Sequence, residues 1–385
     1  MAQPKNFGFG SDEQMVRDQA SRFLKDRVPV DKLRTLVARD EKAAYESDVQ
    51  PAAWDEKLWR DAVELGWTGL GIAEEQGGVG LPLVALAAVC EEAGRAALPS
   101  PLVTTLCATE VLKACNSEAA RAALTTIAGG SAAALATLGE AVSWETADSD
   151  VVANASGSGF ALSGTARFVQ DARKSGFFLV AARADGGTLL ARVAADAPGL
   201  VIEPDRITDL TRDQASLALK NVDVKAADVL AAPGSADHAI AAALPSILTL
   251  VAADICGAGE WQLQTTAEYA RTRKQFDHAI GFFQAVKHPI VNMMIDIDRA
   301  KSLVYAAACA VDHDPAQALR VARMAKAAAS DAAQFVSGRS IQLHGGIGFT
   351  WECDVHLWVK RQQHSQFLWG DGPWHRAKLA EEFPA

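Results

Sequence analysis

With 385 residues, 49% of them hydrophobic and 22% charged, the chain is long enough for two or three packed units and too apolar for a disordered or charge-driven scaffold. Its 37 basic and 47 acidic residues leave a net charge of −10, and no run of Lys and Arg is long enough to follow a phosphate backbone. Nucleic acid is therefore excluded as an expected partner.

The six cysteines, Cys90, Cys107, Cys115, Cys256, Cys309 and Cys353, show no CxxC spacing and sit in apolar stretches, the pattern of reduced thiols. The eight histidines include no HExxH, so no metal site is expected, and His356, His364 and His375 read as surface or interface residues. Neither a leader peptide nor a membrane span is expected. The first residues lack a basic region followed by an apolar run, and no stretch holds roughly 18 uninterrupted apolar residues. The cytoplasm is the expected compartment.

From Ser11 to Ala128 the pattern is helical. SDEQMVRDQASRFLKDRV opens with Ser11 as a candidate cap and sets Met15, Val16, Ala20, Phe23 and Leu24 on one face. WDEKLWRDAVELG and LVALAAVCEEAGRAAL follow, separated by glycine-rich breaks and the prolines at 99 and 101. Between about Gly129 and Pro233 the text changes to short Val-, Phe-, Leu- and Thr-rich segments such as GFALSGTARFVQDA and SGFFLVAARA, which read as strands. After Ser235 three long Ala-rich segments with internal apolar stripes predict antiparallel helices, the third from about Pro315 to Leu343. The expected class is α+β, with a helical domain over 1–128, a middle β domain over 129–233 and a helical bundle over 234–385.

Three separated motifs in this order resemble the acyl-CoA dehydrogenase family: LWRDAVELGWTGLGIAEEQGGVGL from Leu58, YARTRKQFDHAIGFFQAVKH from Tyr269, and IQLHGGIGFTWECDVHLWVKR from Ile341. With the helix–β–helix order, the resemblance spans essentially the whole chain. It implies a middle domain of β-barrel or sandwich type, a C-terminal four-helix bundle, and a tetrameric FAD flavoprotein of lipid metabolism. Such an oxidoreductase removes hydrogens from Cα and Cβ of an acyl-CoA thioester: a carboxylate takes the α proton, flavin N5 takes the β hydride, and the electrons pass to an acceptor that the sequence does not identify.

The resemblance also implies site residues. Arg273 of the R-x-x-F motif would grip the FAD pyrophosphate of a neighbouring subunit, a task suited to guanidinium, with Phe276 beside the nucleotide and Gln284 in the next helix. Gln342, Gly345 and Gly346 would bring backbone close to the adenosine half of the same FAD. Asp277 stands where the family usually has Gly.

The family's base is where the pattern departs. The two positions that carry the catalytic Glu in family members correspond to Trp369 and Ile247, and neither side chain accepts a proton from carbon. Asp371 lies two residues beyond Trp369 and is a weak candidate base; Asp254 and Glu260 are lower candidates. The flavin-ring contacts of the β domain are also altered: AAALATLGEAVSWE retains only Glu140 of the Thr-Glu-Pro stretch, and Phe168-Val169-Gln170 replaces Trp-x-Thr.

The residues that reach a neighbour's FAD are thus kept, while those serving the chain's own flavin ring are lost. This resembles the base-lacking subunit of bacterial heterotetrameric acyl-CoA dehydrogenases, some acting on steroid side-chain thioesters, and implies a paralogous partner subunit. Two other readings stand beside it: a self-sufficient homotetramer using Asp371 or another base, and a non-redox acyl-CoA-binding or structural protein. Trp351, Trp358, Trp369 and Trp374 are expected to pack in the core or to line a pocket for a bulky acyl group.

Overall fold

The computed structural model describes residues 4–37, 45–47, 49–145 and 148–382. Among the described residues six α-helices come first: α1 (Ser11–Arg27), α2 (Val30–Val37), α3 (Glu56–Glu64), α4 (Leu83–Arg95), α5 (Leu102–Ala114) and α6 (Glu118–Ala128). Ser11 is not the cap of α1. Gly10 takes that place, because the Glu13 carboxylate turns back to accept from the Gly10 N–H at 2.8 Å. On the expected apolar face Ala20 and Leu24 are buried, whereas Met15 is exposed.

Eight strands follow: β1 (Ala133–Ala136), β2 (Val152–Ser156), β3 (Gly159–Gln170), β4 (Phe177–Ala184), β5 (Gly187–Ala194), β6 (Leu200–Pro204), β7 (Gln214–Val224) and β8 (Val229–Ala231). They form one hydrogen-bonded sheet in the order β6-β7-β3-β2-β4-β5-β8, with β1 alongside β4. The sheet encloses a core of its own, including Leu162, Val169, Phe178, Val180 and Leu217. Alternation along β4 explains how one strand serves two cores. Phe177, Leu179 and Ala181 face the helices, and Phe178, Val180 and Ala182 face the sheet interior. The β domain is thus a curled sheet, and among the described residues no ladder joins its end strands β6 and β8.

The remainder is α7 (Ala236–Thr272), the two-stranded β9 (Lys274–Gln275) and β10 (His278–Ala279), then α8 (Gln284–His313), α9 (Pro315–His344), α10 (Val355–Ser365) and α11 (Gly372–Ala380). α7, α8 and α9 pack together, α10 lies against both α7 and α9, and α11 rests on α9. Helix α7 is long and apolar enough to cross a membrane by composition, but 78% of its apolar window is buried inside the fold, as in a core helix. It crosses α4 at backbone contact. A Cβ on Gly94 would lie 1.9 Å from the Asp254 carbonyl oxygen, and one on Gly257 would lie 1.8 Å from that of Glu91. Since the principal core runs through residues of all three stretches of the chain, we propose the division at 128–129 and 233–234 on element type alone.

Candidate functional site

Two regions collect the residues singled out by the sequence. The first is the outer end of the helical bundle. Helix α7 ends at Thr272, and Arg273 is its C-cap, with its N–H donating to the Tyr269 carbonyl at 2.9 Å and its own carbonyl accepting from Ile280 N–H at 2.8 Å. The chain then reverses between β9 and β10, where Phe276 and Asp277 have φ of 52° and 60°. A two-residue hairpin with both central φ positive has the form of a type I′ turn, which favours Gly, Asn or Asp. The turn therefore has a backbone that Asp277 tolerates.

The ring of Tyr269 stacks on His344 with centroids 4.6 Å apart. This contact brings the Arg273 hairpin and the Gln342–Gly346 turn to the same end of the bundle. His344 Nδ1 lies 2.8 Å from the Ser340 carbonyl, and burial lowers its pKa. Gly345 has φ of 67°, and a Cβ built on Gly345 or Gly346 would meet nothing within 4 Å. Arg273, Gln284 and Gln342 are exposed, and Phe276 is 84% exposed. No described residue of this chain covers these groups, so the surface is an open cradle.

The second region is a cavity of about 680 Å³ between the sheet, α5, α7 and α10, within the range of small-molecule sites. Leu135, Leu138, Phe168, Val251 and Val359 supply apolar wall, and the chain after α10 closes one side with Phe367, Leu368 and Trp369. Trp369 has φ of 60° and stacks on Trp144 at 5.0 Å; both line the cavity. Of the four C-terminal tryptophans, Trp369 alone is part of this wall. Trp358 is a core residue stacked on Trp261 at 3.4 Å, its Nε1 donating to the Arg95 carbonyl.

None of the acids considered as bases from sequence lines the cavity. The Asp371 carboxylate caps α11, accepting from Trp374 N–H at 2.9 Å. Asp254 is fully buried between Arg212 at 2.6 Å and Arg361 at 2.5 Å. Burial works to raise its pKa, but the two guanidinium charges outweigh it and hold the carboxyl below its ordinary value. Glu260 pairs with Arg95 and with Lys301. Ile247 is in the core and 0% exposed.

Among the described residues, the one carboxylate in the cavity wall is Asp209, which the sequence reading missed. It sits before β7 and is 1% exposed. Its Oδ1 accepts from both the N–H and the hydroxyl of Thr211 at 2.8 Å. Its Oδ2 is buried without a partner among the described residues, as are Nε of Arg212 and Nε of Arg167, two further residues of the wall. His364 also lines the cavity; Nε2 lies 2.8 Å from Gln170 Oε1 and burial pushes its pKa down. His356 and His375 are buried rather than on the surface, because α10 and α11 turn them towards neighbouring helices. The available sequence signal was the cluster Asp205, Arg206, Asp209, Arg212 and Asp213 in otherwise apolar β text.

The fold and these positions can be set beside known proteins. Residues 10–131 match the family model for the acyl-CoA dehydrogenase N-terminal domain, and residues 246–383 match that for the C-terminal domain. Acyl-CoA dehydrogenase IpdE2 of Mycobacterium tuberculosis is 36% identical over 329 residues, covering 85% of this chain and 86% of the relative. Acyl-CoA dehydrogenase FadE34 of the same organism is 33% identical over 348 residues, covering 90% of this chain but only 44% of the relative's length. Among solved structures, the ChsE4–ChsE5 complex from Mycobacterium tuberculosis superposes with TM-score 0.86 at 25% identity, covering 99% of this chain and 100% of the other. A single-substitution variant of the Tcur3481–Tcur3483 steroid ACAD gives 0.84 at 27%, covering 96% and 97%.

Proposed function

The chain belongs to the acyl-CoA dehydrogenase family, and on that premise we propose that it is a subunit of an FAD-dependent acyl-CoA dehydrogenase that completes the FAD site of a partner subunit. The observation that carries this reading is the open cradle. Arg273, Phe276, Gln342, Gly345 and Gly346 share one end of the bundle, and no described residue fills the space beside the glycines.

The family is FAD-dependent, and the bound flavin supplies the hydride acceptor for α,β-dehydrogenation. The cradle suits the nucleotide end of that group. Arg273 offers a bidentate donor for phosphate, Phe276 an apolar face, and the two glycines let backbone approach closely. The chain's own cavity lacks the family's base at both usual positions, where Trp369 and Ile247 stand. A subunit that keeps the outward contacts and loses the inward ones fits a heterotetramer with a paralogous, base-bearing subunit, the arrangement of the bacterial pairs it resembles. The ChsE4–ChsE5 likeness, a complex of two named chains, supports the same assembly.

The test is purification of the chain alone and after co-expression with a paralogous acyl-CoA dehydrogenase subunit, recording flavin absorbance and native mass. Flavin and tetramer-sized assembly are expected only with the partner. A yellow homotetramer that bleaches with an acyl-CoA would overturn partner dependence. In the complex, Arg273→Ala should remove FAD while the far-ultraviolet circular dichroism stays unchanged; unaltered flavin content would remove Arg273 from the site.

A further inference from the structure

The two helices that carry the halves of the cradle, α7 and α9, are joined behind it by a buried polar seam. Gln262 on α7, Ser337 and Ser340 on α9 and Gln362 on α10 are all buried. The Gln262 amide donates to Gln362 Oε1 at 2.5 Å, and its own Oε1 accepts from the Ser340 hydroxyl at 2.7 Å. Gln362 Oε1 also accepts from the Ser337 hydroxyl at 3.1 Å, and its amide donates to the Ile255 carbonyl at 3.0 Å. Gly259 makes room for that amide, since a Cβ there would lie 2.8 Å from the Gln362 nitrogen. The seam continues outward at helical spacing. About two turns beyond Gln262 on α7 stands Tyr269, and about one turn beyond Ser340 on α9 stands His344; their rings stack at 4.6 Å and 25°. The His344 Nδ1–H donates to the Ser340 carbonyl at 2.8 Å, which fixes the plane of that ring.

A buried amide has to keep its partners, because an unmet donor or acceptor in a packed core is costly. The seam therefore penalises any slide or rotation of α9 against α7, and a shift of one residue, about 1.5 Å along the axis, would break its bonds. Fixing register is the best-attested use of buried polar groups. The register set here ends at the cradle: Arg273 caps α7 just past Tyr269, and Gly345 caps α9 directly after His344. We propose that Tyr269 and His344, with the Gln262–Gln362–Ser340 seam behind them, are positioning residues of the FAD cradle: they hold Gly345 and Gly346 at a fixed separation from Arg273, so that both meet one nucleotide. The inference rests on the reading of the cradle as an FAD site, and it requires neither ring to touch FAD.

Register and stability can be separated at Gln262. Gln262→Met puts an apolar chain of similar length in place of the amide. Ser340 then keeps its bond to the Ser337 carbonyl, and Gln362 keeps Ser337 and Ile255, so none of these groups loses every partner. Replacing a buried polar group by a well-packed apolar one is often neutral or stabilising. A site held less firmly in its binding geometry nevertheless binds more weakly, because ordering it is charged against affinity.

The measurement is the FAD dissociation constant of the co-expressed complex, stripped of FAD and titrated with it while flavin fluorescence is followed, beside the thermal midpoint of the same stripped samples. Tyr269→Leu and His344→Leu, which remove one ring of the stack, should each weaken FAD binding about two- to tenfold, the scale of one aromatic pair. Tyr269→Phe and His344→Phe, which keep a ring, should recover most of that affinity. Gln262→Met should weaken FAD binding with a thermal midpoint unchanged or raised, a combination that a merely structural role would not give. In an Arg273→Lys background the Tyr269→Leu penalty should shrink, because the bidentate grip that depends on position is already gone. Wild-type affinity in both leucine variants, equal losses in the leucine and phenylalanine variants, or losses that follow a lowered midpoint in every variant including Gln262→Met, would overturn the inference. Retention of FAD by Arg273→Ala would overturn the cradle itself, whereas loss of FAD there with wild-type affinity in the leucine variants would overturn the positioning role alone.

Discussion

Lys326 offers the most exacting test of the physical account. It is 0% exposed on α9, and its ammonium donates to Ser330 Oγ at 2.9 Å, the Gln366 carbonyl at 2.8 Å and the Gly370 carbonyl at 2.7 Å. These bonds tie down the loop that places Trp369 in the cavity wall. Burial nevertheless pushes its pKa from 10.5 down to about 7, with Asp371 opposing. The unfolded chain then holds a proton that the folded chain has released between about pH 7 and pH 10.5, so the unfolded state binds more protons there. By linkage the stability contributed by this site rises with pH across that window, and the burial penalty is present in full below it. At about 1.4 kcal/mol per pH unit, with the group half-titrated at the start, the gain between about pH 7 and pH 9 is about 2 kcal/mol.

Lys326→Met removes this dependence. It also takes the ammonium donor from the Gly370 carbonyl, while the Gln366 carbonyl keeps the Ser330 hydroxyl at 3.2 Å; a buried acceptor left without a donor costs about 1–3 kcal/mol. The assay is urea unfolding of both proteins at equal concentration and flavin content, followed by tryptophan fluorescence across that pH range. Wild-type stability relative to Lys326→Met should climb with pH. A difference that is flat, or that falls, would refute the assignment of Lys326 as a group deprotonated on burial.

Four further outcomes follow from contacts in the fold. Gly94→Ala and Gly257→Ala each place a methyl within 1.9 Å of opposing backbone; each should cost about 3 kcal/mol or more by overpacking, read as a lowered thermal midpoint. Asp254→Asn leaves the Arg212 and Arg361 charges inadequately paired and should cost about 3–5 kcal/mol, measured by urea unfolding at neutral pH. Because Asp254 is held below its ordinary pKa of 3.8, its contribution is complete above that value and disappears as pH falls through the lower folded pKa. Acid unfolding should therefore begin at higher pH in the variant. Asp371→Ala should lose about 1 kcal/mol of capping stability, and Asp371→Asn only a few tenths, in the same denaturation assay.

Much of the architecture was legible in the text. The period of apolar residues separated helix from strand, and the third long helix, Pro315–His344, ends within a residue of its expectation because Gly345 and Gly346 stop it. Motif spacing singled out Arg273 and Phe276, which lie on one hairpin, and Gln342, Gly345 and Gly346, which lie together at the end of α9. The stack of Tyr269 on His344 that joins them is a contact between helices far apart in sequence. The burial of His356 and His375 was equally hidden, because the face a helix turns inward depends on what packs against it.

The base shows where sequence stops. Asp254, Glu260, Asp371 and Asp209 are all acids in the text, and the text does not say which partner each of them meets. Their roles were assigned by partners more distant in the chain: Arg212 and Arg361 for Asp254, Arg95 and Lys301 for Glu260. Asp371 was claimed locally by the start of α11, and Asp209 alone of these four was left with a buried oxygen facing no donor. The sequence by itself determined the helix–strand–helix order, the family motifs and the lack of a carboxylate at positions 247 and 369, because these depend on local pattern and spacing. Only the tertiary structure decided which charges are spent on one another, because hydrogen-bond satisfaction and desolvation are properties of the packed neighbourhood.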